Sequence, residues 1–192
     1  MLVTRHREKL INAIIYFLGA AKHVHTLKLF KLLNFADFEH YRQTGRTITG
    51  LDYRALPQGP VPTRLYEEIK RGGDADLKAA LIIHAIKDDI NDQNLRRDLK
   101  SKAAFDSKWF SKRELQIMER VAEFFQELKA EDMSEFSHRK NMPWEKVYQK
   151  GRGSSHLIPP ELALDSEPIV HDAPTISREE LKYRRDSFRD SA

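Results

Sequence analysis

Three histidines and an aspartate are the nearest approach to a metal site in this sequence. His23 and His25 lie two residues apart, and Asp37 and His40 follow about one turn apart on the next predicted helix. Structural zinc takes four ligands from Cys, His, Asp or Glu, and the chain has no Cys. A metal site built on the two clustered histidines would therefore lack ligands. We predict no metal and no other cofactor, with a three-ligand site that recruits His40 as the alternative.

Catalytic signatures are missing from the sequence. It contains no phosphate-binding glycine loop, no H-E-x-x-H and no G-x-S-x-G. The absence of Cys also excludes disulfides and thiolate catalysis, and it fits a reducing compartment. His138 precedes Trp144 by six residues across a helix break, so we expect this His to pack on Trp144 and to hydrogen-bond backbone there. We predict that the protein is not an enzyme, with a metal-dependent enzyme that uses His23, His25 and His40 as a further alternative.

One narrow polar line interrupts an otherwise apolar helix and continues into basic residues. Residues 1–48 hold eight Lys or Arg against three acids, while the whole chain carries a net charge of +4. This basic front, residues 1–48, is suited to bind an acidic protein or nucleic acid, or it forms an ordinary solvated face. So few polar residues argue against base readout by a recognition helix, although phosphate contact stays open. The predicted partner-contact residues on this line are Lys28, Lys31, Asp37, Arg42 and Arg46, with Asn34 between them.

Apolar residues at helical spacing predict several helices. We expect them over 5–21, over 26–42 with Thr26 as N-cap, over 63–71 and over 76–90. Ser111 and Glu114 form a capping box for the longest later helix, whose apolar stripes include Phe124 and Phe125 as core residues. Asp132 and Glu135 suggest a second box, for a short helix to His138, and a further helix starts near Pro143. The second helix is apolar nearly all round, which predicts a central position.

Two other regions have a different character. Thr, Ile and Tyr alternate around Gly50, which predicts a β-hairpin over 46–56. Residues 97–106 are either a partner strand for this element or a loop. After Gly151 the composition shifts, and four of the eight prolines follow residue 158. We expect an extended segment over 152–176, either lying on the body or loose, and a last helix from Ser177 to about Asp190. The prediction is a mainly α fold: one compact helical domain (1–151) with a small antiparallel hairpin, and an extended C-terminal tail (152–192).

The longest apolar run covers only Ala13 to Ala21. A spanning helix needs about 20 apolar residues. The run keeps helical spacing and contains Tyr16, so we interpret it as a packing helix rather than a signal peptide or membrane span. We therefore expect a cytoplasmic protein with no membrane partner.

Four sequence pieces occur in a characteristic order. They are T-L-K-L-F-K-L-L-N-F-A-D-F (26–38), I-T-G-x-x-Y-x-A (48–55), G-P-V (59–61) with Leu65-Tyr66, and M-S-E-F-S-H (133–138) followed by Trp144. Together with Phe110-Ser111 they resemble the Panacea domain, the SocA-like domain of bacterial and phage toxin–antitoxin systems, over about residues 5–150. Asn34 stands where that family typically has Tyr.

The resemblance implies an antitoxin that neutralises a cognate protein toxin by direct contact, and it carries over no catalytic residue. A DNA-binding regulator that uses the basic front, or reaches DNA through the toxin, is the alternative. We expect the motif residues to be mainly structural. They are Leu33, Phe35, Gly50, Tyr53, Gly59, Pro60, Val61, Tyr66, His138 and Trp144.

Overall fold

The computed structural model describes residues 6–84, 97–169 and 174–189, and these form a mainly α fold, as predicted. Helices α1 to α8 span His6–Ala20, Thr26–Thr44, Thr63–Lys70, Ala75–Ala80, Lys112–Phe124, Ala130–His138, Pro143–Tyr148 and Arg178–Arg189. Strands β1 to β4 span Arg54–Leu56, Gly59–Val61, Leu81–His84 and Asp98–Ser101. The strands pair as two antiparallel two-stranded sheets, β1 with β2 and β3 with β4.

Helix α2 runs through the centre of the molecule, as its apolar circumference predicts. It packs against α1, α5, α6, β2 and a turn of 3-10 helix at Pro160–Asp165. Gly45 ends it with φ 75° and donates its N–H to the Tyr41 carbonyl, a left-handed cap that glycine adopts without strain. Thr26 is not the N-cap, because His25 takes that place. The Thr26 hydroxyl instead accepts the backbone N–H of Arg97.

The hairpin predicted over 46–56 lies elsewhere. Its strands are β1 and β2, with Ala55 opposite Pro60 and the turn at residues 57–58. Residues 46–53 form a loop, because the backbone N–H groups of Ile48 and Thr49 bind the Asp37 carboxylate instead of a partner strand. A tertiary contact from α2 thus overrides the local alternation.

The helix predicted over 76–90 is wrong after Ala80. The chain turns there into β3, which pairs with β4 in the register of Leu81 opposite Ser101. Ile82 and Ile83 are β-branched, which favours a strand. The optional strand within 97–106 is confirmed at β4, but its partner is β3 and not the hairpin. Residues 85–90 lie outside the described residues.

The capping box of α5 is confirmed. The Ser111 hydroxyl accepts the Glu114 N–H, and the Glu114 carboxylate accepts the Ser111 N–H. The box predicted from Asp132 and Glu135 is wrong: α6 begins at Ala130, and Asp132 accepts the N–H of Lys129. Its end at His138 and the start of α7 at Pro143 are as predicted.

The described part of the chain after α7 packs on the body. The backbone N–H groups of Ser155 and Ile158 donate to the carbonyls of Ala55 and Tyr53 at 2.7 and 2.8 Å, so this segment continues the edge of the hairpin. Of the two predicted options, the described part up to residue 169 therefore lies on the body. Helix α8 begins beside Ser177 as expected, and Leu181 buries its side chain near the end of α2. The division into domains at residue 151 stays a prediction.

Truncating Ile158 should show that this segment belongs to the core. Its side chain is 1% exposed, while that of its neighbour Leu157 is 47% exposed. We expect Ile158→Ala to lower the free energy of unfolding by about 2–3 kcal/mol and the matched control Leu157→Ala by under about 0.5 kcal/mol. Urea unfolding measures both. Equal small losses would mean that the segment is detached in solution.

A membrane-spanning helix would need more length and more apolar residues than any helix among the described residues has.

Candidate functional site

The polar line predicted for partner contact lies in the interior rather than on the surface. Lys28, Lys31, Asn34, Asp37 and Arg42 are each at most 5% exposed, while Arg46 is exposed. The expectation that these residues form a surface is therefore wrong for all but Arg46. The reason is that distant parts of the chain fold over α2 and supply polar partners. Their toxin-binding role stays a prediction, and only Arg46 offers it a surface.

Lys28 joins the ends of two helices. Its Nζ donates to the carbonyls of Lys22 and Gln126, at 2.7 and 3.1 Å. These carbonyls follow α1 and α5, where free carbonyls carry partial negative charge that a cation stabilises. Burial lowers the pKa of Lys28 and Glu127 opposes that shift.

Lys31 anchors the β1–β2 turn to α2. Its Nζ donates to the Gln58 carbonyl at 2.6 Å. Gly59, at φ 118°, leaves the necessary room, because a Cβ there would lie 3.3 Å from Nζ. Burial lowers the pKa of Lys31 to about 8, against an opposing effect of Glu131. Lys31, the second lysine of the T-L-K-L-F-K motif, thus holds the turn that leads into the G-P-V motif against α2.

The lowered pKa of Lys31 predicts a specific pH dependence. Between its folded value of about 8 and its ordinary value of 10.5, the unfolded chain holds the proton and the folded chain does not. Folding stability attributable to Lys31 therefore rises with pH through this window. We expect the free energy of unfolding of the wild type, relative to Lys31→Met, to rise by up to roughly 3 kcal/mol across it. Urea unfolding at several pH values measures this difference, and a flat difference would contradict the buried position.

Asp37 organises the loop that carries the I-T-G-x-x-Y motif. One carboxylate oxygen accepts the N–H groups of Ile48 and Thr49, both at 2.8 Å. The other accepts the Tyr53 hydroxyl at 2.8 Å and the Thr49 hydroxyl. Burial raises the pKa of Asp37, and these hydrogen bonds oppose the shift. The carboxylate therefore holds the loop in place, and all of these hydrogen bonds come from residues of the loop.

Arg42 connects α2 to the C-terminal chain. It pairs with Glu39, one turn earlier, and both side chains are 3% exposed. Its other guanidinium nitrogen donates to the Thr175 hydroxyl at 2.6 Å, and its carbonyl accepts the N–H of Ile176 at 2.8 Å. The role of Glu39 was not predicted, although its i,i+3 spacing to Arg42 is the signal that could have shown it.

His138 stacks on Trp144, as predicted, with ring centroids 3.7 Å apart. The other face of the indole stacks on Tyr148 at 4.4 Å, and Nε1 donates to the Leu56 carbonyl at 2.9 Å. The predicted bond from His138 to backbone is wrong for its Nε2, which is buried without a partner among the described residues. Burial lowers the pKa of His138, and the charge of Lys31 adds to the shift.

The other motif residues lie mainly inside. Phe35 stacks on Phe125 with centroids 4.7 Å apart. Buried with Phe35 are Leu33, Tyr53, Gly59, Pro60 and Val61, while Tyr66 is half-buried. Gly50 is exposed, and at φ 72° it adopts a left-handed turn against the His6 ring. Their role as structural residues stays a prediction until it is tested by mutation.

The three histidines considered for a metal do not assemble into a site. His40 lies near the C-terminal end of α2, and its Nδ1 is 2.7 Å from the carbonyl of Arg46, which follows the helix. His23 and His25 precede the start of α2, at its opposite end. Throughout residues 6–84, 97–169 and 174–189 there is no group of three or more His, Asp or Glu that could hold a metal ion.

A groove on the surface was not predicted. Phe124, expected in the core, is 46% exposed, because Phe125 beside it takes the core position. Phe124 contacts Phe136 edge to face at 5.4 Å, and the Arg139 guanidinium lies 4.0 Å over the Phe136 ring. Ile169 lines the same groove from the C-terminal segment. Adjacent aromatic residues on a helix point about 100° apart. The Phe124-Phe125 pair was therefore a sequence signal that one of the two rings lies outside the core.

Comparison with known proteins gives one family. The model of the family described as antitoxin SocA-like, Panacea domain matches residues 29–145. The match runs from α2 into α7 and so includes Lys31, Asp37 and Trp144 with their main partners, while the C-terminal segment lies outside it. No curated protein and no solved structure gives a match.

Proposed function

We propose that this chain, which belongs to the antitoxin SocA-like, Panacea-domain family, binds a cognate protein toxin in the cytoplasm and neutralises it by direct protein–protein contact. The family match over residues 29–145 carries this proposal, because it covers the body of the fold from its central helix to the Trp144 stack. The predicted family and an antitoxin-like role are thereby supported, and the toxin and the way in which it is bound are what we add.

The geometry of the matched residues is consistent with a binding module. Lys31, Asp37 and Trp144 each reach across to the hairpin or its preceding loop, through Gln58, Ile48 and Leu56. Their polar atoms form hydrogen bonds within the chain, which is typical of a rigid scaffold. Such a scaffold can present a preorganised surface to a partner at low entropic cost. We propose accordingly that neutralisation needs no catalysis by this chain.

The DNA-binding alternative has less support. It depends on Lys28, Lys31, Arg42 and Arg46, and the first three lie in the interior. Phosphate contact requires cations that reach the surface. The alternative therefore depends on Arg46 and on basic residues outside the predicted line.

Co-expression tests the proposal. The gene adjacent to the one that encodes this chain is induced alone and together with this chain, and growth is measured. We expect the adjacent product to arrest growth and this chain to restore it. The matched control is the chain co-expressed with a growth-arresting protein from an unrelated locus, where no rescue is expected. If the adjacent product arrests growth and the chain gives no protection, the proposal is wrong.

A further inference from the structure

We propose that the groove beside Phe124 is the site where the toxin docks, and that it takes a bulky apolar side chain carried by a basic segment of the toxin. The inference rests on the proposed function and adds to it the surface and the chemistry of the partner. Three features carry it: the exposed Phe124 beside the half-buried Phe136, the volume of the groove and the charge of the surrounding chain.

The aromatic pair presents apolar area to solvent. Phe124 is 46% exposed and Phe136 is partly buried beside it. The other residues that line the groove are Arg139, Met142, Glu167, Pro168 and Ile169. The groove encloses about 80 Å³. One water needs about 10–15 Å³ on this measure, so the space fits several waters or one aliphatic or aromatic side chain. Anchors that fill a pocket of this kind contribute most of the affinity of protein interfaces.

The charge around the pair identifies the flanking residues of the partner. Residues 123–135 carry five exposed carboxylates and a single lysine, although the chain as a whole has a net charge of +4. The acids are Glu123, Glu127, Glu131, Asp132 and Glu135. Glu167 adds a further acid in the groove lining, and the basic residues nearby are Arg139, which lies over the Phe136 ring, and Lys140. An acidic partner would be repelled here, whereas a basic segment is attracted and oriented. Phe124 lies within this acidic stretch and Phe136 directly follows it, so the two features act on the same ligand.

The groove joins two parts of the molecule. Phe124, Phe136 and Met142 lie within the family match, whereas Pro168 and Ile169 lie outside it. The second wall is therefore supplied by the C-terminal segment that this chain adds to the matched body. That wall gives the segment a role in selecting the toxin.

Affinity measurements with the adjacent gene product as the probe test this surface. The full chain is compared with Phe124→Ser, and the matched control is Leu157→Ser, because Leu157 is exposed to the same extent, at 47%. A second pair compares Glu123→Lys/Glu135→Lys with Glu67→Lys/Glu179→Lys, four exposed acids that give the same change in charge. We expect Phe124→Ser to weaken binding about tenfold or more and the acidic pair to weaken it several-fold with a smaller dependence on salt. We expect both controls to change affinity less than about twofold.

The outcomes separate the two proposals. If the wild type binds the probe and Phe124→Ser binds equally well, the groove is not the site and the antitoxin proposal stands. If the wild type does not bind, both are overturned. Circular dichroism confirms that Phe124→Ser is folded; should it unfold, the acidic pair decides, and unchanged binding by that variant overturns the groove.

Discussion

Asp37→Ala is expected to lower the free energy of unfolding by roughly 3–5 kcal/mol, a large share of the stability of a typical domain. The substitution leaves the N–H groups of Ile48 and Thr49 without their acceptor in a buried place. Each buried group without a partner costs about 1–3 kcal/mol. Tyr53, whose hydroxyl also binds this carboxylate, loses its partner as well. Chemical denaturation followed by circular dichroism measures the loss.

Asp37→Asn is the matched control. The amide oxygen can accept both N–H groups, and the amide nitrogen can donate to the hydroxyls of Thr49 and Tyr53. Burial raises the pKa of Asp37, so the fold disfavours the charge that Asn removes. We expect this variant to lose less than half as much stability as Asp37→Ala. Equal losses in the two variants would mean that the negative charge, and not the hydrogen bonds, organises the loop.

Trp144→Ala is expected to cost about 3–5 kcal/mol. The indole is 7% exposed and lies between the rings of His138 and Tyr148. Trp144 and Asn34 line the same cavity, which removal of the indole would enlarge. The Leu56 carbonyl would also lose the hydrogen bond from the indole N–H. Thermal melting and urea unfolding of the purified variant measure the effect.

The second tryptophan supplies the control for Trp144. Trp109 is only half-buried, so Trp109→Ala should cost clearly less. Trp144→Phe should fall between wild type and Trp144→Ala, because it keeps a stacked ring and loses the bond to Leu56. A Trp144→Ala protein that melts like wild type but fails to neutralise the toxin would place this residue in the interface instead.

Local signals predicted most of the helices. The start of α5 depends on Ser111 and Glu114, three residues apart, and the end of α2 depends on Gly45; both are read from adjacent sequence. The central position of α2 follows from its apolar circumference, which only an interior can accept. In each case the interactions that fix the element lie within one or two turns of chain.

The misplaced strands depend on distant contacts. Nothing near Ile48 and Thr49 shows that Asp37, on another element, holds their N–H groups. Helix α4 stops at Ala80 because Leu81 to His84 find β4, which follows about fifteen residues later in the chain. Pairing over such distances competes with local helix propensity and cannot be weighed from the residues of either segment alone.

The candidate site was less predictable than the fold. Charged residues are usually exposed, so residue type alone predicts a surface position for Lys28, Lys31 and Arg42. They are buried because carbonyls and a carboxylate from other elements satisfy them. Conversely, the apolar type of Phe124 predicts a core position, and the fold leaves it at the surface. Residue type predicts burial on average, while the position of each partner decides the individual case.

The central claim, that this chain neutralises a toxin by binding it, is tested most directly by titrating the activity of the adjacent gene product with the purified full chain. Neutralisation by contact uses inhibitor in a fixed proportion to the toxin bound, so we expect a linear loss of toxin activity that ends at a fixed stoichiometric ratio. Full protection by a small fraction of an equivalent would show that this chain turns over as a catalyst, and no inhibition at several equivalents would show that it is not the antitoxin of that product. Either result would contradict the account.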